Sequence, residues 1–194
     1  MVPSTEAIRI QGELVRQARQ GDAAAWESLV NGHQDHVFRL AYLFLGDSVD
    51  AEDVAQETFL RAYRSLGSFD AERPLRPWLL SITANLARNR RRAAGRYLAA
   101  LQRLLQVEPS RSTSVEQLSE NSLQTQRLWG ALRQLDLADQ QVIYLRYFLE
   151  MSVEETADAM RIATGTVKSR LHRALNRLRG VIESEYPDLK DALG

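Results

Sequence analysis

The chain has 194 residues and no cysteine, with 44% hydrophobic and 26% charged residues; it is too apolar for wholesale disorder and has no disulfide, thiolate metal site or thiol nucleophile. No apolar run nears the 18 or so residues of a membrane span, and Met1–Glu6 lacks the basic start and apolar stretch of a signal peptide, so a soluble, cytoplasmic protein is expected. The formal net charge is zero, yet 23 of the 25 basic residues are Arg, and they are not evenly spread.

In chain order nearly every segment reads as helix. Glu13–Gln20 has helical spacing and stops at Gly21. Ala23–Leu45 carries Trp26, Leu29, Val30, Val37, Leu40, Ala41 and Phe44 at i, i+3, i+4 intervals and ends at Gly46. Asp50 then precedes Ala51-Glu52-Asp53, which suggests an N-cap with acids in the first turn, and this helix runs to about Leu66. Pro74 and Pro77 mark a loop, with Pro77 suited to the first residue of the next helix, Trp78 to Arg92. Residues 73–107 hold eight Arg and no acid, against six Arg and twelve acids in residues 1–72.

Beyond Gly95 the pattern weakens. Leu98–Leu105 suits a short amphipathic helix, and the polar Glu108–Ser114 reads as a tether. Further on come Leu123–Leu135, a turn at Asp136–Asp139 and an apolar helix Val142–Leu149. Ser152-Val153-Glu154-Glu155 is a capping box that opens a helix to Met160, and Thr164 is positioned to cap a last helix from Gly165 to about Ser184. There is no βαβ alternation. The expected class is all-α: two small helical domains, residues 9–95 and 122–186, joined by a linker at 96–121.

The last two helices, linked by Arg161-Ile162-Ala163, have the spacing of a helix-turn-helix. On a wheel, Val167, Leu171, Ala174, Leu175 and Leu178 form a core stripe. Ser169, His172, Arg173 and Asn176 lie opposite, flanked by Lys168, Arg170 and Arg177. A recognition helix puts its N-terminal half into the major groove, so Lys168, Ser169, His172 and Arg173 would reach bases, and Arg170, Arg177 and Arg179 phosphates. Spacing alone also allows an ordinary bundle helix, but residues 161–179 hold six basic residues and no acid.

The Trp78–Arg92 helix divides similarly. Leu79, Ile82, Thr83 and Leu86 point one way; Trp78, Ser81, Asn85, Arg88, Asn89 and Arg92 the other. Asn can hydrogen-bond a base edge, and indole or guanidinium planes can stack on an unpaired base. The competing reading puts Trp78 in the core. His33 and His36, at i, i+3, could share a metal but lack a third ligand in a recognisable motif, so polar surface is the expected role. No catalytic residue, cofactor or metal is expected.

Together these segments resemble the extracytoplasmic-function group of bacterial RNA polymerase sigma factors. Gly21-Asp22-Ala23-Ala24-Ala25-Trp26-Glu27 and Val37–Asp47 look like the first helices of that family's second domain. Ala51–Tyr63 is similar to the helix that docks on the polymerase β′ clamp, Leu75–Asn89 to the segment that reads the −10 promoter element, and Thr164–Arg179 to the −35 recognition helix. Leu75 stands where members often have Phe, and Pro77 where a small residue is more usual.

The resemblance implies polymerase contacts by Asp53, Gln56, Glu57, Phe59 and Leu60. It implies −10 contacts by Trp78, Ser81, Asn85, Arg88, Asn89, Arg90, Arg91 and Arg92, and −35 contacts by Thr166, Lys168, Ser169, Arg170, His172, Arg173 and Arg177. The implied partners are core RNA polymerase (β′ clamp and β subunits), promoter DNA and an anti-sigma factor. The implied activity is assembly without catalysis. The alternative is a stand-alone helix-turn-helix regulator of the LuxR type, which would carry an N-terminal α/β receiver.

Overall fold

The computed structural model describes residues 5–105 and 122–187. They form eight α-helices in two units, α1–α4 and α5–α8, and no strand occurs among the described residues. The α/β receiver of a stand-alone regulator is therefore not found among them. The Glu108–Ser114 tether lies outside the described residues.

In the first unit α1 spans Thr5–Arg19, α2 Ala23–Leu45, α3 Ser48–Ser65 and α4 Leu75–Leu105, with a 3-10 turn at Leu66–Ser68. The capping residues explain the boundaries of α2. The Asp22 side chain accepts from the backbone N–H groups of Ala24 and Ala25, and Gly46 closes the helix at φ 74°, donating to the Tyr42 carbonyl. Asp47, not Asp50, caps α3: it accepts from the Asp50 backbone at 2.8 Å. The chain enters this helix immediately after Gly46, so Asp50 falls in the first turn, where its charge still favours the dipole. α4 begins at Leu75, two residues before Pro77. Pro77 lies within the first four helical residues, whose N–H groups have no intrahelical acceptor, so the missing donor costs little.

α2 is the central helix of this unit and packs against α1, α3 and α4. Leu29, Val37, Leu40 and Phe44 of α2, Val54 and Ala62 of α3, and Leu75, Leu79, Leu80, Ala84 and Ala87 of α4 are all buried in the core. Each fully buried Leu or Phe contributes about 1.5–3 kcal/mol. Between α3 and α4 the buried hydroxyls of Thr58 and Thr83 lie 3.3 Å apart, and each also donates to its own helix, at Val54 O (2.8 Å) and Leu79 O (2.9 Å). Both polar groups are thereby satisfied inside the core.

Two expectations are corrected here. α1 starts eight residues before Glu13. α4 continues without a break through residues 96–105, which the sequence reading gave to the linker. Helix-favouring residues Arg96–Leu105 contain no proline, and nothing local ends the helix at Gly95.

In the second unit α5 spans Ser122–Gln134, α6 Leu137–Ile143, α7 Val153–Met160 and α8 Thr164–Glu185. Asp136 caps α6 by accepting from Ala138 and Asp139. The apolar Val142–Leu149 stretch is not one α-helix: it passes into a π turn at Tyr144–Phe148. This turn brings Tyr144, fully buried, and Phe148 against Trp129 of α5, with ring centroids 5.2–6.2 Å apart. The expected capping box is present. Ser152 Oγ accepts from the Glu155 N–H, and the Glu155 carboxylate accepts from the Ser152 N–H. Arg161 ends α7 in the left-handed region, φ 55°, and turns the chain into α8. Ala163, with no side-chain hydrogen bond, occupies the cap position expected for Thr164, which is instead the first helical residue.

Candidate nucleic-acid and protein interfaces

α3 presents an outward stripe. Val49, Asp53, Gln56, Leu60 and Tyr63 are all exposed and recur at alternating intervals of four and three. This is the spacing by which a helix meets a second helix along a seam. Val49, Leu60 and Tyr63 leave half or more of their surface in solvent. Sequence reasoning named Asp53, Gln56 and Leu60 but missed Val49 and Tyr63; the heptad interval was the signal that could have found them. The remaining two expected residues sit beside the stripe. Glu57 is half-buried and receives a hydrogen bond from Arg61 at 2.7 Å. Phe59 is also half-buried, its ring edge-on to Trp26 at 6.3 Å, and Trp26 also meets Tyr63 at 5.1 Å. Trp26 on α2 thus buttresses the C-terminal half of the α3 face.

On α4, Asn85, Asn89 and Arg92 are exposed at i, i+4, i+7 and share one face. Arg88 lies between them, donating to the Ala84 carbonyl at 3.2 Å and to the Asn85 side-chain oxygen. Burial, and then the charge of Arg92, lower the Arg88 pKa. Arg91 is half-buried. Ser81 is corrected: it is buried, and its hydroxyl donates to the Trp78 carbonyl at 2.7 Å. α2 and α3 both pack on α4, so its buried arc is wider at this level than a single stripe. Trp78 is half-buried and lies against Phe69, centroids 4.7 Å apart.

Arg90 does not stand free on that face. Its guanidinium reaches back to α3, to Asp50 and, at 3.0 Å, to Asp53. Desolvation works against its charge, but the hydrogen bonds and charges of the two carboxylates outweigh it and raise the pKa. One residue expected on phosphate is thereby tied to one expected on polymerase.

On α8 the wheel holds. Val167 and Ala174 are fully buried, with Leu171, Leu175 and Leu178 partly covered. Lys168, Ser169, His172, Arg173 and Asn176 are exposed, while Thr166 and Arg170 are half-buried. The Asn176 side chain lies 3.1 Å from His172 Nε2, and Arg173 Nε donates to the Ser169 carbonyl at 3.3 Å. Arg177 is the exception. It pairs with Asp139, whose side chain is 5% exposed, and with Asp136 at 3.4 Å. Its guanidinium fastens α8 to the start of α6, while 55% of the side chain stays in solvent.

The histidine pair is also corrected. His33 and His36 are half-buried, not polar surface, and their Nδ1 atoms are shielded from solvent. Burial, then His36, then Arg76 lower the His33 pKa to about 4. No group of three or more metal-capable side chains occurs among the described residues, and no described helix is long and apolar enough to cross a membrane.

Comparison with known proteins agrees with this geometry. Residues 29–97 match the family described as Sigma-70 region 2, and residues 125–178 that described as Sigma-70, region 4. The chain is 34% identical to the ECF RNA polymerase sigma factor SigW of Bacillus subtilis over 85% of its own length and 92% of the relative's. It is 33% identical to the ECF RNA polymerase sigma factor SigL of Mycobacterium tuberculosis over 85% and 93%. Among solved structures, CnrH in complex with the cytosolic domain of CnrY superposes with a TM-score of 0.67 at 26% identity, covering 90% of this chain and 98% of that one. The sigma factor RpoE in complex with the anti-sigma factor NepR from Bartonella quintana gives 0.63 at 26% identity, covering 82% and 97%. The two units therefore carry the two matched sigma regions, and the chain belongs to the extracytoplasmic-function group of RNA polymerase sigma factors, which direct polymerase in transcription initiation.

Proposed function

We propose that residues 9–95 dock on core polymerase and open the −10 element, and that residues 122–186 bind the −35 element. The observation that carries this reading is the outward α3 stripe of Val49, Asp53, Gln56, Leu60 and Tyr63, an exposed apolar and polar seam whose Val49, Leu60 and Tyr63 leave half or more of their surface in solvent. It suits a helical partner on the β′ clamp. Asn85, Asn89, Arg88 and Arg92 would take unpaired −10 bases and their backbone. Capture of those bases would supply the free energy that opens the duplex. Lys168, Ser169, His172 and Arg173 would read the −35 groove, with Thr166 and Arg170 toward phosphate. Polymerase would align the two units and supply the effective concentration that either alone lacks.

The protein acts in this scheme by binding, with no catalytic residue of its own, and works in the cytoplasm. CnrH and RpoE were each solved with a protein partner, and an anti-sigma factor covering one of the same surfaces is the corresponding proposal for this chain. Run-off transcription with cognate core polymerase on a genomic promoter library tests the scheme. The wild-type protein is expected to activate a subset of promoters above core alone. Leu60→Asp, at the centre of the stripe, is expected to weaken core binding by roughly 30-fold, the loss of one interface anchor. Unchanged core affinity in that variant would remove α3 from the interface.

A further inference from the structure

The region 2 match begins at residue 29 and leaves α1 without a role. Besides packing on α2, α1 makes a run of polar and close contacts to the loop of residues 66–74 that leads into α4. Arg19 donates from Nε to the Leu66 carbonyl at 3.0 Å and from its terminal nitrogen to the Phe69 carbonyl. Arg16 pairs with Glu72 at 3.1 Å, and the Gln11 amide reaches the Arg73 carbonyl at 3.4 Å. Gly12 lies flush against the loop: a Cβ there would stand 2.6 Å from the Ala71 carbonyl oxygen, a backbone atom with little room to yield. Gln11, Gly12, Arg16 and Arg19, within about two and a half turns of one helix, thus meet one loop at Leu66, Phe69, Ala71, Glu72 and Arg73.

The loop in turn seats the start of α4. Phe69 is buried and its ring lies against Trp78, two helical turns before Asn85 on the same side of α4. A fork of two N–H donors onto two carbonyls fixes the loop in a way that one point charge does not. Arg16–Glu72 is an exposed pair, screened by solvent and salt. The Arg19 fork and the Gly12 approach therefore do most of the holding.

We infer that α1 is a positioning element for promoter reading: through Arg19 and Gly12 it sets the 66–74 loop and Trp78, and thereby the register in which α4 offers Asn85 to unpaired −10 bases. This inference rests on the proposed −10 role of α4. Arg19 touches no DNA in this scheme; it acts through the loop. A helix that only added stability would change how much protein is folded, not which bases the folded protein prefers.

The test uses full-length protein with cognate core polymerase on a pool of promoter fragments randomised over the −10 element, with the run-off products sequenced. Asn85→Ala is the control for α4, and core affinity and thermal unfolding are measured alongside. For Arg19→Ala and Arg19→Lys the expected result is a loss of −10 base preference of roughly tenfold at the affected position, the discrimination carried by one base contact. Core affinity is expected to stay unchanged. Gly12→Ala is expected to shift the preference in the same direction by pushing the loop away. If Arg19→Ala does not fold, Arg19→Lys and Gly12→Ala decide by the same readout. Unchanged base preference in folded Arg19 and Gly12 variants, with Asn85→Ala altering it, overturns the inference alone. Unchanged preference in Asn85→Ala as well overturns the α4 reading and the inference with it.

Discussion

Arg177→Ala separates a fold-fastening residue from a DNA-reading one. The Asp139 side chain is 5% exposed, whereas that of Arg177 is 55% exposed, so only one end of the pair is shielded from water. Removing one partner of a fully buried pair costs about 3–5 kcal/mol, because the other charge is left without compensation. Half-exposure of the guanidinium lowers this, and about 2 kcal/mol is the expected loss. The effect should be confined to the second unit, since both partners lie there. Hydrogen exchange of α6 and α8 amides in the full-length protein reads it directly: about 2 kcal/mol corresponds to roughly 30-fold faster exchange at those amides, where they exchange through unfolding of the unit. Arg173→Ala is the counterpart. It should leave exchange unchanged and weaken holoenzyme binding to −35 DNA by about 1–3 kcal/mol. Arg177 is a phosphate contact and not a fastening residue if Arg177→Ala leaves exchange unaltered and instead lowers the salt dependence of DNA binding by about one phosphate contact.

Two further outcomes follow from the first unit. His33 is held neutral by burial, with a pKa near 4 against 6.5 for the free side chain. Its contribution is therefore complete above about pH 6.5 and is lost as pH falls toward 4, by up to about 3 kcal/mol. Urea unfolding across that window should show the loss, and His33→Gln should flatten it; an unchanged slope would place the acid sensitivity elsewhere. Arg90→Ala should weaken promoter binding less than Arg92→Ala, because the Arg90 guanidinium is already engaged by Asp50 and Asp53. Salt titration of holoenzyme binding to promoter DNA compares the two, and an equal loss would mean that Arg90 leaves its carboxylates for phosphate.

The sequence by itself determined the all-helical class, the bounds of α2 at Ala23 and Gly46, the Ser152–Glu155 capping box and the two acid-free faces. These are signals within a few residues, where caps, turns and helical period act. Only the tertiary structure decided which members of those faces are available. A helical wheel assumes one packing partner, but α4 has two, so Ser81 is buried where the wheel left it open. Arg90 finds Asp53 across 37 positions and Arg177 finds Asp139 across 38, distances over which no sequence period carries information. The same holds for Arg19 and the Phe69 carbonyl, 50 residues away. An arginine reads alike in the sequence whether it meets a phosphate or a carboxylate, and its partner is set by which helices the core has brought side by side.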